Sequence, residues 1–330
     1  MDISNITTCT VNIPPHALIC ELQPVTIQNT QTADDKEFSQ PLLEQVKFHI
    51  SNLTHEEYEI GKKLITDYNT IFSKDETDVG HITPLKHRIY LHDEHPCKQR
   101  YRRIPPSMYE EVRNHLQLLL RTGIIRKSHS PYSSNLVLVK KKDNSLQICV
   151  DNRQLNLKTK KDAYALPRIA EIFVCLAGNR YFSVIDMKSG FHQVEILEEH
   201  MERTAFTVGP LGLYEYNMMP FGLSNSPGTY QRLMQECLSD LHLHICCIFI
   251  DDVIVFSRTY EEHVERLKLV FDRNKEHNLK LSPGKCSFFM PKVRYVEHIV
   301  SEDGIETDPE KIEKMQIGQN HKQQKKQGDL

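Results

Sequence analysis

Apolar positions in this chain follow two periods, and the densest apolar stretch has charge at its centre. Residues 245–256, Ile-Cys-Cys-Ile-Phe-Ile-Asp-Asp-Val-Ile-Val-Phe, are apolar except for Asp251 and Asp252. Their β-branched and aromatic composition predicts two buried strands. With no Gly or Pro between the halves, the acidic pair marks the tip of a tight hairpin. A second strand-like run, Tyr181-Phe182-Ser183-Val184-Ile185, ends in Asp186. Residues 136–139 and 146–151 predict another hairpin, joined by the turn Lys140-Lys141-Lys142-Asp143-Asn144-Ser145.

Between these runs the period lengthens to that of helices. Thr54-His55-Glu56-Glu57 is a capping box opening a helix to about residue 68. Ser107-Met108-Tyr109-Glu110 reads as a second box, followed by Val112, Leu116, Leu119 and Leu120 and stopped by Gly123. Pro167 at the first helical position starts a short helix ending before Gly178. Ser226 as cap and Pro227 start another, whose Tyr230, Leu233, Met234, Cys237, Leu238 and Leu241 form one core stripe. A last helix is predicted over 260–277, with Asn278 as a left-handed stop. Strand, helix, hairpin and helix in that order predict an α+β fold: a ferredoxin-like antiparallel sheet with helices on one face. Residues 1–51 show no sustained period and read as a weakly structured leader or linker. Residues 316–330 are rich in Gln and Lys and read as a disordered tail.

Composition narrows the class. The 330 residues are 39% hydrophobic, and no stretch approaches the roughly 20 apolar residues of a membrane span. No signal peptide opens the chain, and the nine cysteines include no Cys-x-x-Cys pair. An intracellular protein, cytoplasmic or nuclear and not secreted, is expected. The net charge of −3 hides an asymmetry: residues 98–168 carry 16 Lys and Arg against 5 Asp and Glu, whereas both flanks are acidic. A polyanion would be drawn to that middle segment, which begins with the basic run Lys98-Gln99-Arg100-Tyr101-Arg102-Arg103.

The acidic residues suggest the chemistry. Two bare carboxylates on a buried hairpin repel each other unless a cation neutralises them, and hard oxygen ligands suit Mg²⁺. With Asp186 as a third ligand, two ions would be held for in-line phosphoryl transfer. A polar turn between core strands is the competing reading.

At these residues the chain resembles reverse transcriptases of gypsy-type LTR retrotransposon Pol polyproteins. The resemblance rests on Phe249-Ile250-Asp251-Asp252, on 184–193 (Val-Ile-Asp-Met-Lys-Ser-Gly-Phe-His-Gln) and on 219–227 (Met-Pro-Phe-Gly-Leu-Ser-Asn-Ser-Pro), in that family's order. It implies a right-hand polymerase with palm and fingers and the thumb largely missing. A leader (1–51) and a pre-fingers segment (52–105) would precede the polymerase domain (106–315), and a truncated end (316–330) would follow it. It also implies an RNA-directed DNA polymerase using two Mg²⁺ ions, or Mn²⁺, with an RNA or DNA template, a primer and deoxynucleoside triphosphates, and no membrane. The oligomeric state stays open. Asp186, Asp251 and Asp252 would be catalytic and metal-binding. Lys141, Gln147, Phe191, Phe221 and Gly222 would face the nucleotide, with Phe191 excluding a 2′-hydroxyl. Arg153, Gln231, Glu297 and His298 would face template or primer. Two departures stand out: Gln147 replaces a family cation, and Val296-Glu297-His298 replaces Leu-Gly-His in the primer-supporting hairpin. They predict weak, poorly processive extension. The alternatives are a decayed or domesticated nucleic-acid-binding module, and a ribonuclease H inherited from the polyprotein. The second needs an acidic cluster on a further domain, and none is found in this sequence.

Overall fold

A computed structural model describes residues 42–48, 53–140 and 146–307. Its central sheet has the order Lys47–Phe48, Ser287–Met290, Tyr181–Asp186, Asp252–Ser257, Cys246–Phe249. All neighbours are antiparallel except the edge strand Lys47–Phe48. The register sets Asp186 directly across from Asp252, and the pairing of Phe249 with Asp252 leaves Ile250 and Asp251 as a two-residue loop.

Both faces of this sheet are covered, which is why its central strands read as continuous apolar runs. On one face, Val253 and Val255 pack with Tyr230, Leu233 and Met234 of the helix Ser226–Cys237, with Leu267 and Phe271 of Tyr260–Glu276, and with Leu64 and Ile65 of His55–Asp67. On the other face, Ile254 and Phe256 pack with Ile172 and Leu176 of the helix Ile169–Leu176 and with Val293 and Tyr295 of a small three-stranded sheet. A buried polar chain ties the two central strands to the helix Tyr260–Glu276. His263 lies between Ser183, 2.7 Å from Nε2, and Ser257, 2.9 Å from Nδ1. Ser257 donates its proton to the Thr259 carbonyl, and Ser183 accepts from the Phe289 N–H. The imidazole therefore carries its proton on Nδ1. Burial pushes its pKa down to about 3, so it stays neutral.

A second five-stranded sheet, in the order Ile125–Lys127, Leu213–Tyr216, Phe206–Thr207, Ser134–Lys140, Leu146–Val150, packs against the helix Tyr109–Arg121. The predicted hairpin is there, with five paired positions from Leu136 opposite Val150 to Lys140 opposite Leu146. Its turn, with Lys141, lies outside the described residues. No helix among the described residues is long and apolar enough to cross a membrane.

Several expectations need correction. The proposed leader does not stop short of the fold: Val46 is buried, Lys47–Phe48 forms the sheet edge, and the Phe48 ring lies 6.0 Å from that of Phe288. Two residues are too few to show a period. Within the segment 52–105, the helix His55–Asp67 joins the core beneath the central sheet and Ile82–His87 runs parallel to Val194–Ile196, whereas Ile104 packs into the core of the second sheet. The Thr54 capping box forms with both reciprocal bonds, at 3.2 and 2.6 Å. The Ser107 box does not, because Pro106–Met108 forms a 3₁₀ turn and Met108 takes the cap position. The Pro167 helix starts two residues later than expected, at Ile169. Gly123 and Asn278 hold the left-handed stops, with φ of 71° and 53°.

The strands Lys292–Tyr295 and His298–Ser301 are joined by Val296 and Glu297, both left-handed, with φ of 44° and 60°. Such a turn favours glycine, and an L side chain there costs about 1 kcal/mol or more. Glu297→Gly is therefore expected to stabilise the chain by about 1 kcal/mol in urea denaturation. A lower midpoint would contradict this account of the turn.

Candidate active site

Asp186 ends the strand Tyr181–Asp186, and the chain then turns through Ser189 (φ 48°) into the 3₁₀ segment Gly190–Gln193. The buried Gln193 pins this turn: its amide donates to the carbonyls of Lys188 (2.8 Å) and Lys280 (3.0 Å), and its oxygen accepts from the Lys280 N–H. Asp252 begins the neighbouring strand and faces Asp186 across the register.

Asp251 sits in the hairpin loop beside Ile250, whose φ of 53° is unusual for a β-branched residue. Gln231 holds that loop from below. It accepts from the Ile250 N–H at 2.7 Å and donates to the Ile248 carbonyl at 3.2 Å. Gln231 is 0% exposed and clamps the Ile250–Asp251 turn, a place from which its side chain does not reach out to the surface. The core stripe of the helix Ser226–Cys237 was legible, but not that a Gln beside it would turn inward. The signal available was the hairpin without glycine, whose strained loop needs a partner for its backbone.

Charge dominates the site. Burial raises the pKa of all three carboxyls from the ordinary value. Asp251 is pushed up to about 6, by burial first and then by repulsion from Asp186 and Asp252. Lys285, a cation that sequence reasoning missed, offsets part of this, with Nζ 3.2 and 3.4 Å from the two oxygens of Asp186. Asp251 Oδ1 is buried with no hydrogen-bond partner. Among the described residues no three His, Cys, Asp or Glu side chains converge closely enough to hold an ion as they stand. The donor set still suits a hard divalent ion: three carboxylates, one of them with an orphaned oxygen.

Beside the carboxylates, the Phe191 ring is buried, 4.9 Å from Phe221 and 5.4 Å from Tyr230 between centroids. Phe221 is 53% exposed and forms the open wall of this pair. Gly222 has a φ of 88°, and its carbonyl accepts from Asn156 Nδ2 at 2.7 Å. Asn152 and Asn156, not singled out in the sequence, thus fasten the Phe221-Gly222 turn to the fingers side.

The other expected residues stand on separate elements. Gln147 is exposed on the fingers hairpin opposite Val139. Arg153 makes a two-pronged bond with Asp151 at 2.8 and 2.7 Å. Glu297 lies in a turn of the three-stranded sheet and His298 begins its middle strand, where the His298 ring packs edge-on against Phe173 at 4.7 Å.

The raised pKa of Asp251 fixes the sign of a stability effect. Between the ordinary carboxyl value and about 6 the folded chain binds more protons than the unfolded one, so this group's contribution weakens the fold as pH rises through that window. In EDTA, Asp251→Asn is expected to raise thermal stability at pH 7.5, by on the order of 2 kcal/mol. The gain should nearly vanish at pH 4. An equal or larger gain at pH 4 would contradict the electrostatic origin.

Residues 139–322 match the family model described as reverse transcriptase (RNA-dependent DNA polymerase). The chain is 35% identical over 271 residues to the retrovirus-related Pol polyprotein from transposon 297 of Drosophila melanogaster, covering 81% of this chain and 26% of that one. It is 37% identical over 211 residues to that from transposon gypsy of the same organism, covering 62% and 20%. The chain spans about a quarter of the length of these relatives. The foamy viral protease-reverse transcriptase, solved in complex with an RNA/DNA hybrid, shares the fold with a TM-score of 0.74 at 23% identity, covering 83% of this chain and 36% of that one. The family match and these relatives, in accord with the carboxylate-bearing hairpin, place the chain in the reverse transcriptase (RNA-dependent DNA polymerase) family.

Proposed function

We propose that this chain is an RNA-directed DNA polymerase that extends a primer on an RNA or DNA template by two-metal nucleotidyl transfer. The observation that carries this reading is the placement of Asp186, Asp251 and Asp252 at the junction of two paired strands, beside the Phe191–Phe221 wall. Enzymes of this family use divalent cations. Two Mg²⁺ ions, or Mn²⁺, would supply the positive charge that neutralises a triphosphate and makes a 3′-hydroxyl more acidic.

The chain's own residues do the rest. Asp186 and Asp251 would hold the ions, and Asp252 would complete the negative set. Phe191, locked between Tyr230 and Phe221, has no freedom to move away from a sugar above it, so a 2′-hydroxyl would meet the ring. The exposed face of Phe221 and the backbone of Gly222 would border the base pair. The basic segment from Lys98 would attract the backbone phosphates, with Arg100, Arg102 and Arg103 all exposed. An RNA/DNA hybrid and double-stranded DNA are bound by the foamy viral relatives. The same classes of duplex are proposed as partners here, together with deoxynucleoside triphosphates, in an intracellular setting. A specific feature favours a weak enzyme over a fully active one: Gln147 offers no charge where a phosphate would gain it, and losing one such donor costs about 10²–10³ in rate.

Primer extension on poly(rA) with oligo(dT) tests the reading. The purified chain should extend in Mg²⁺, and Asp186→Asn or Asp251→Asn should reduce extension at least a thousandfold with circular dichroism unchanged. Full extension by either variant would overturn the site. Phe191→Ala should admit ribonucleotides at least tenfold better relative to deoxynucleotides in single-nucleotide incorporation. Unchanged discrimination would return Phe191 to a purely packing role.

A further inference from the structure

Tyr230 is 0% exposed, and its hydroxyl has no hydrogen-bond partner among the described residues. Its ring packs against Phe191 and its neighbours in the sheet core. A phenylalanine would satisfy that packing fully. A buried hydroxyl without a partner loses its hydration for nothing, so its presence calls for an acceptor.

One acceptor is close. Asp251 Oδ1 is also buried and also without a partner. A methyl group on Gly190 would lie 2.5 Å from the Tyr230 hydroxyl and 2.7 Å from Asp251 Oδ1. The two orphaned atoms therefore flank the same point against the Gly190 backbone. The two groups are complementary: a phenol has one proton to donate, and an ionised carboxylate only accepts.

We propose that Tyr230 is a positioning residue whose hydroxyl donates to Asp251 Oδ1 and so turns the remaining lone pairs of that carboxylate towards the metal. The inference rests on the two-metal reading above. Gly190 belongs to the same device, because any side chain there would occupy the point the two groups share. Residues 230 and 231 then act in tandem from one helix. Gln231 fixes the backbone of the catalytic turn, and Tyr230 fixes the carboxylate that the turn carries.

The test is Tyr230→Phe in the full chain, which removes the hydroxyl and keeps the ring. Mn²⁺ binding, followed by electron paramagnetic resonance without nucleic acid, should weaken about 10-fold, the usual scale for a residue that orients a metal ligand. Melting in EDTA should show no gain in Tm, because a bonded hydroxyl is being removed rather than an orphaned one. Equal Mn²⁺ affinity in the two proteins, or a higher Tm for the variant, would overturn the role of Tyr230 and leave the metal site standing. Failure of the unmodified chain to bind Mn²⁺ would overturn the metal site, and the role of Tyr230 with it.

Discussion

Partial burial of three carboxylates, with repulsion from Asp186 on Asp251 and Asp252 second to it, is the constraint around which this site is built. Asp186, Asp251 and Asp252 are brought together by strand register and by a two-residue loop, and burial raises the pKa of each. An isolated hairpin would splay to relieve this. Here the apolar residues around it are packed on both faces of the sheet, so the hairpin cannot open without exposing two cores. Polar clamps finish the work: Gln231 beneath the loop, Gln193 across the turn after Asp186, and His263 between the strands. The site is thus held in a state that burial of its charge makes unfavourable, the arrangement that the proposed two-ion centre would call for.

Lys285 shows how the chain lives with that charge. It is 68% exposed and reaches Asp186 from the loop before the strand Ser287–Met290. An exposed ammonium is only a partial counter-ion, since solvent screens it. It offsets part of the charge without closing the site.

Much of this fold was legible because its elements are long and its sheet is buried on both sides. The continuous apolar run Val253-Ile254-Val255-Phe256 gave the strand, and Thr54, Gly123 and Asn278 gave helix boundaries that the structure keeps. What was missed depended on distant partners. Lys47–Phe48 is too short to announce itself, and Ser107 looked like a cap until the prolines before it set a 3₁₀ turn. The carboxylates and their neighbours Phe191 and Phe221 were legible because they lie in compact motifs. Gln193, Tyr230 and Lys285 were not read as parts of the site, and Gln231 was read as a template contact rather than a clamp on the loop, because each bonds or packs with residues remote in sequence. Glu297 stands between these cases. Its departure from glycine was visible in the sequence, and only the left-handed φ shows that the backbone itself asks for glycine there.

The central claim is that the three carboxylates form a two-ion centre for nucleotidyl transfer. The most direct measurement is anomalous scattering from crystals of the chain grown with primer–template duplex, a non-hydrolysable deoxynucleotide and Mn²⁺. The account predicts two Mn²⁺ peaks about 3.5–4 Å apart between Asp186 and Asp251, with Lys285 displaced from Asp186. Anomalous peaks elsewhere, or none at these carboxylates with duplex and nucleotide in place, would contradict it.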